Sequence, residues 1–199
     1  MVKVTVNEIK QLREITGLGI MECKKALLES NGDIEKAKKI LKKKGMKIAE
    51  KKSSRVTQEG VIDSYIHYNN KLGAMIEVKC ETDFVSKNED FLKLVHNIAM
   101  QVAAANPLYI NRNEISEEIV NEKKKSFFLE AIEDGKKKDI AEKIAEQRIE
   151  DFFNNCCILE QNFIRNEEIT VKELINEAIA RMGENIEIRR FIRFAFGEK

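Results

Sequence analysis

The first part of the chain sets apolar positions at helical intervals. In VNEIKQLREITGLG, Ile9, Leu12 and Ile15 recur at that spacing, Asn7 is placed to cap the start, and Gly17 and Gly19 to end the element. A second short helix carries Met21, Ala26 and Leu27 and stops at NGD, where Asp33 can cap a third helix with Ile34, Ala37, Ile40 and Leu41 turned inward. This third helix is expected to finish near Gly45, completing a three-helix bundle. The following KGMKIAEKKSSRVTQEG is lysine-rich and weakly periodic, and reads as a basic linker.

From Val61 the period becomes two. VIDSYIHY, the turn residues Asn69 and Asn70, and LGAMIEVKCE predict an antiparallel hairpin with Ala74, Ile76, Val78 and Cys80 on one buried side. Helical patterns follow from about Lys87 to Ala105, Ser116 to Asp134, Asp139 to Asn154 and Val171 to Met182. ENIEIRRFIRFAF closes the chain as a strand, with Ile186, Ile188, Ile192, Phe194 and Phe196 mostly on one face. Strands at both ends of a run of helices give an α+β class, in which the last strand returns to the hairpin as the third of an antiparallel sheet packed with helices. The expected division is 1–53 for the helical domain with its linker and 54–199 for the core.

Composition removes several classes. The 199 residues are 43% hydrophobic and 35% charged, with 35 Lys and Arg against 34 Asp and Glu, so a core is affordable in size and no whole-chain field calls for a polyanion. MVKVTVNEIKQ lacks an apolar signal-peptide core, and no apolar run approaches the roughly 18 residues of a membrane span, so neither secretion nor membrane insertion is expected. Cys23, Cys80, Cys156 and Cys157 lack CxxC spacing and fit reduced thiols. His67 and His96 stand far apart and suggest no metal site. Glu77, Glu81 and Asp83 gather near the end of the hairpin, but no nucleophile has a paired base, so the chain is not expected to be an enzyme. GKKKD after Gly135 reads as a polar turn because no strand precedes it.

One stretch resists this parsing. In CETDFVSKNEDF, Ser86 and Glu89 form a capping-box signature, after which Phe91, Val95, Ile98 and Val102 step along one helix face from about Lys87. Asp83 and Phe84 then fall in the connection between strand and helix. Phe84 either folds back as a plug over the hairpin or projects outward, and Asp83 either bonds its own turn or serves a partner.

TDFV before a capped helix, LREITGLGIMECKKALLESNGDIEKA near the start, HNIAMQVAAANPLYI in the middle and GENIEIRRFIRF at the end, in that order over essentially the whole chain, resemble the bacterial-type elongation factor Ts family. The family's usual opening is TGAGMMDCKKAL, from which Leu18, Ile20 and Glu22 depart mildly. The resemblance implies a guanine-nucleotide exchange factor for elongation factor Tu, with no cofactor of its own and a cytoplasmic location. It implies that the small bundle is a ubiquitin-associated-type (UBA-like) module docking on the GTPase through Arg13, Ile20, Met21 and Lys24. Thr82, Asp83, Phe84 and Val85 would be the part that dislodges magnesium. Longer relatives carry two related core halves; this chain has room for one, which implies a homodimer and a two-plus-two complex with the GTPase. No membrane and no direct nucleic-acid contact belong to this reading.

An alternative remains from the residues themselves. The basic segment 36–55 could serve an RNA- or ribosome-binding module, or could be a solvated helix face and linker without stacking aromatics.

Overall fold

Thr5, not Asn7, starts the first helix. Its side chain accepts the Glu8 backbone N–H while Glu8 reaches back to the Thr5 N–H at 2.6 Å, a reciprocal cap that places Asn7 two residues too late for the role. The computed structural model of the chain describes residues 4–198. Helix α1 (Val6–Thr16) ends where Gly17 adopts φ 67°, a left-handed conformation that a side chain would strain, and sends its N–H to the Arg13 carbonyl. Helix α2 (Ile20–Glu29) follows, then α3 (Ile34–Lys52), capped by Asp33 as expected. Leu12, Cys23, Ala26, Leu27, Ala37 and Leu41 form the bundle's buried core, with Ile9, Ile34 and Ile40 packed around it. Ile15, expected inward, is exposed, and so is Met21; Cys23 fills the core position on α2.

Helix α3 does not stop at Gly45. That glycine is buried inside the helix, where a Cβ would lie 3.4 Å from the Cβ of Ala180, and Ala49 is buried one turn on. The supposed linker is thus helical through Lys52. Gly45 permits close packing on α8 (Val171–Met182), an approach supported by the Lys42–Glu173 ion pair at 3.0 Å and by a Lys52 ammonium donating to the Gly183 carbonyl. A favourable tertiary contact outweighs the roughly 1 kcal/mol that glycine costs in a helix.

The hairpin is β1 (Glu59–Ile66) and β2 (Leu72–Cys80), with Ala74, Ile76, Val78 and Cys80 buried as the alternation requires. At Gly60 a Cβ would lie 2.3 Å from the Val78 carbonyl oxygen, so only glycine lets the strands meet there. The TDFV segment forms a four-residue helix, α4 (Asp83–Ser86), before α5 (Glu89–Ala105). Ser86 is not the cap of α5: its hydroxyl donates to the Asp83 carbonyl, while Asn88 accepts the Asp90 N–H at 2.8 Å. Phe91, Val95, Ile98 and Val102 are fully buried along α5.

A 3-10 turn precedes the long pair α6 (Glu117–Glu133) and α7 (Lys138–Cys156). A two-stranded ribbon, β3 (Asn162–Phe163) with β4 (Asn166–Thr170), separates α7 from α8, and β5 (Ile186–Ala195) ends the fold. The main sheet is antiparallel, three-stranded and ordered β1-β2-β5, so the chain is α+β as read from its pattern. One reading of β5 needs correction. Ile186 and Ile188 are buried, but Ile192, Phe194 and Phe196 are exposed, since Arg193 takes the inward position and donates to the Ala103 carbonyl at 2.9 Å.

The contacts divide into two compact units. The first holds residues through Ile62, Glu77–Val95 and Glu173–Arg189. The second holds Asp63–Ile76, His96–Lys172 and Arg190 onward, with a core of Ile115, Ile149, Phe153, Cys156 and Cys157.

Candidate functional site

Thr82 begins α4 without capping it by its own side chain. Its hydroxyl instead donates to Glu184 at 2.6 Å, and the other carboxylate oxygen of Glu184 accepts the backbone N–H of Thr82 at 3.0 Å and of Glu81 at 3.1 Å. An acid from the turn before β5 therefore holds the two residues that lead into α4, with a charge suited to the positive end of that helix. Glu81 is held in turn: it accepts the Asn185 N–H at 2.6 Å and pairs with Arg55 at 3.4 Å. Asn185, buried, donates to the Arg55 carbonyl at 3.0 Å. These polar bonds fix the backbone immediately before the short helix.

Above this mount the four TDFV side chains are sorted by exposure. Thr82 and Val85 are half-buried, Asp83 is exposed, and Phe84 is 83% exposed. The plug alternative is thereby excluded, because a ring folded over the hairpin would be buried. A ring 83% exposed packs little against the described residues and stands free to meet a partner. Asp83 pairs with Lys87 at 2.8 Å, and this hydrogen-bonded cation holds its carboxyl below the usual carboxylate range. The pair's small contribution is present above the ordinary carboxylate pKa and is lost as pH falls through the lowered one. Beneath the turn, burial first and the Glu184 charge second push the Cys80 thiol up to about 11, which keeps it neutral.

The second set lies at the junction of α1 and α2. Arg13 is exposed in the last turn of α1, and Ile20, Met21 and Lys24 line the start of α2, with Ile20 53% and Met21 62% exposed. Gly19 precedes Ile20 in extended conformation and offers no side chain to cap or cover the helix start. Both sets belong to the first compact unit.

The acids considered for catalysis have structural occupations: Glu81 and Asp83 are paired as described. His96 bonds Asp63 at 3.0 Å and His67 bonds the Tyr65 hydroxyl at 3.0 Å. Among the described residues no group of three or more His, Cys, Asp or Glu could hold a metal ion. The four cysteines are buried and free.

Sequence reasoning missed Glu184. GEN opens a segment whose pattern shows only a strand, and an acid before a strand carries no signal that it braces a chain segment over 100 positions earlier. We expect Glu184→Ala to lower the thermal midpoint, since it strips two backbone donors and a hydroxyl of their acceptor at a cost of about 1 to 3 kcal/mol. At roughly 2 to 4 °C per kcal/mol for a chain of this size, differential scanning calorimetry will read it. An unchanged midpoint would remove Glu184 from the mount.

The family profile described as Elongation factor TS matches residues 6–198. Elongation factor Ts of Syntrophomonas wolfei subsp. wolfei is 52% identical over 195 residues, covering 98% of this chain and 91% of that protein. Elongation factor Ts of Thermoanaerobacter sp. is 48% identical over 98% of this chain and 96% of its own length, and that of Carboxydothermus hydrogenoformans 47% identical over 98% and 90%. With a match over nearly its full length, the chain belongs to the elongation factor Ts family.

Proposed function

We propose that this translation elongation factor binds elongation factor Tu·GDP and promotes release of GDP by displacing magnesium and stabilising the nucleotide-free GTPase. The observation that carries the reading is Phe84, 83% exposed on a short helix braced by Glu184. Magnesium in a nucleotide-binding GTPase requires near-octahedral oxygen ligands and tolerates little displacement of them. An aromatic ring driven into the packing beside such a site shifts a ligand-bearing element, because protein interiors are dense and yield little. Thr82 and Val85 support the ring, and Asp83 orients the turn or accepts hydrogen bonds from the partner.

Arg13, Ile20, Met21 and Lys24 dock the UBA-like region, 1–53, on the GTPase, an apolar pair flanked by cations in a composition suited to an acidic-rimmed apolar patch. Residues 54–199 then supply exchange and dimerisation, giving a two-plus-two complex. The protein acts by binding, without bond chemistry or a cofactor of its own, in the cytoplasm, where its buried cysteines stay as thiols. Linkage fixes the energetics: GDP weakens binding of the factor by the factor's own effect on GDP, and a coupling of about 4 kcal/mol corresponds to roughly a thousandfold.

The test is release of fluorescent GDP from purified elongation factor Tu with and without the protein. Stoichiometric protein is expected to accelerate release by at least about a hundredfold, within the range that such coupling permits. No acceleration refutes the reading.

A further inference from the structure

The helical course of α3 past Gly45 changes what its lysines can do. Ala37, Leu41, Gly45 and Ala49 form the buried row of the helix at four-residue intervals. Lys39, Lys43, Lys47 and Lys51 follow two positions behind each of them, about 200° around the helix, on the opposite side. All four are exposed. Their neighbours are paired: Lys36 with Asp33 at 3.3 Å, Lys38 with Glu35 at 2.7 Å, Lys42 with Glu173 at 3.0 Å and Lys44 with Glu29 at 2.9 Å. No such ion pair engages the four outer lysines among the described residues. A flexible linker would have dispersed these charges, whereas the helix aligns them at intervals of about 6 Å over about 18 Å.

We infer that this row, Lys39, Lys43, Lys47 and Lys51, is a binding surface for the phosphate backbone of RNA. Repeated point cations suit a repeated anion, and lysine binds phosphate as a point charge without demanding a planar partner. A protein partner fits less well, because lysine is depleted from the cores of protein interfaces and this side of the helix offers no central aromatic anchor. A bilayer fits less well again: a helix lying on a membrane inserts its apolar face, and the apolar row of α3 is already buried in the fold. The absence of aromatic residues from α3 makes the contact one of backbone charge without base stacking, and therefore indifferent to sequence. With a formal net charge of +1 over the whole chain, the attraction must come from a local cluster and not from the protein's overall field.

The experiment is fluorescence anisotropy of the full-length protein with a labelled oligouridylate of about 20 nucleotides and a duplex RNA of similar length, from about 50 to 200 mM salt. Binding is expected at the low end, with log K falling against log salt at a slope of about −3, the value for some four released counterions. Changing all four lysines to glutamine should lower affinity at least about tenfold and flatten that slope, with helix content and melting midpoint retained because glutamine is a comparable helix former. The double variant Lys43→Gln with Lys47→Gln should flatten it by about half, which keeps the test independent of the fourfold variant's folding. The ratio of single-strand to duplex affinity identifies the form of RNA that the row accepts. Absence of binding to both RNAs at low salt overturns the inference. So does unchanged affinity of the fourfold variant, or an equal loss on changing Lys123, Lys124, Lys136 and Lys137, or tighter capture by phosphatidylserine vesicles than by either RNA.

Discussion

Phe84→Ala is expected to slow elongation factor Tu-bound GDP release by at least about tenfold while leaving the melting midpoint within about 2 °C of the original. The two halves of this result have separate causes. Truncating a ring that is 83% exposed removes little buried area, and surface substitutions of this kind stay within about 0.5 kcal/mol. A buried phenylalanine would instead cost about 3 to 5 kcal/mol. In the proposed mechanism the ring inserts into the partner only in the complex, so its loss should appear in exchange and not in folding. A tenfold loss corresponds to about 1.4 kcal/mol, modest for an aromatic anchor at an interface.

Magnesium separates a wedge from a docking contact. If Phe84 acts by dislodging the ion, depleting free magnesium leaves it less to do, and original and variant rates should converge. If it only helps the proteins bind, the gap persists at every magnesium concentration. Equal rates at ordinary magnesium would remove Phe84 from the mechanism altogether. Asp83→Ala should cause a smaller defect, because the carboxylate already has a partner in Lys87, four residues on, and in the proposed mechanism it orients the turn while the ring displaces packing.

The parts of the fold legible in the sequence are those decided by neighbours a few residues away. The alternation from Ala74 to Cys80 placed the buried face of β2, and the spacing of Phe91, Val95, Ile98 and Val102 placed that of α5. Asp33 and Gly17 announced a cap and a stop through their own side chains or lack of one. The failures share a different cause. Gly45 has the local chemistry of a helix stop, and only Ala180, far along the chain, makes it a packing position. The polar ribbon β3–β4 has too few apolar residues to show a period. On β5 the pattern of Ile192 and Phe194 continues that of Ile186 and Ile188, yet Arg193 turns inward to a helix-end carbonyl and leaves both outside.

The candidate site divides in the same way. TDFV could be recognised as a motif, but the alternation could not say whether Phe84 pointed in or out, and its brace, Glu184, is invisible without the fold. The misread linker had a larger consequence. Read as a linker, the segment from Lys44 detaches Lys47 and Lys51 from Lys39 and Lys43; on a continuous α3 the four form one row.

The outward half of β5 leads to the second large effect. Phe194→Asp should convert the proposed dimer, twice 22.9 kDa, to a single chain at micromolar concentration, as read by analytical ultracentrifugation. Ile66 on β1, Met75 on β2 and Ile192 and Phe194 on β5 are all at least half exposed, so each strand of the sheet offers apolar side chains to solvent. Isolated monomers seldom present large contiguous apolar patches, and two copies related by a twofold axis can cover one another with the same surface. That symmetry also amplifies the substitution. Each aspartate introduced on one chain has a symmetry mate on the other, so desolvation is paid twice within a single interface. Phe194→Leu keeps the apolar contact and should remain dimeric, which separates loss of burial from loss of the aromatic ring. In the isolated chain Phe194 is 67% exposed, so neither substitution should lower the stability of the monomer by much. A dimer that survives Phe194→Asp moves the interface away from this strand, and an unsubstituted protein of single-chain mass at about 10 µM, a concentration at which a stable standard-sized interface holds, rules the pairing out.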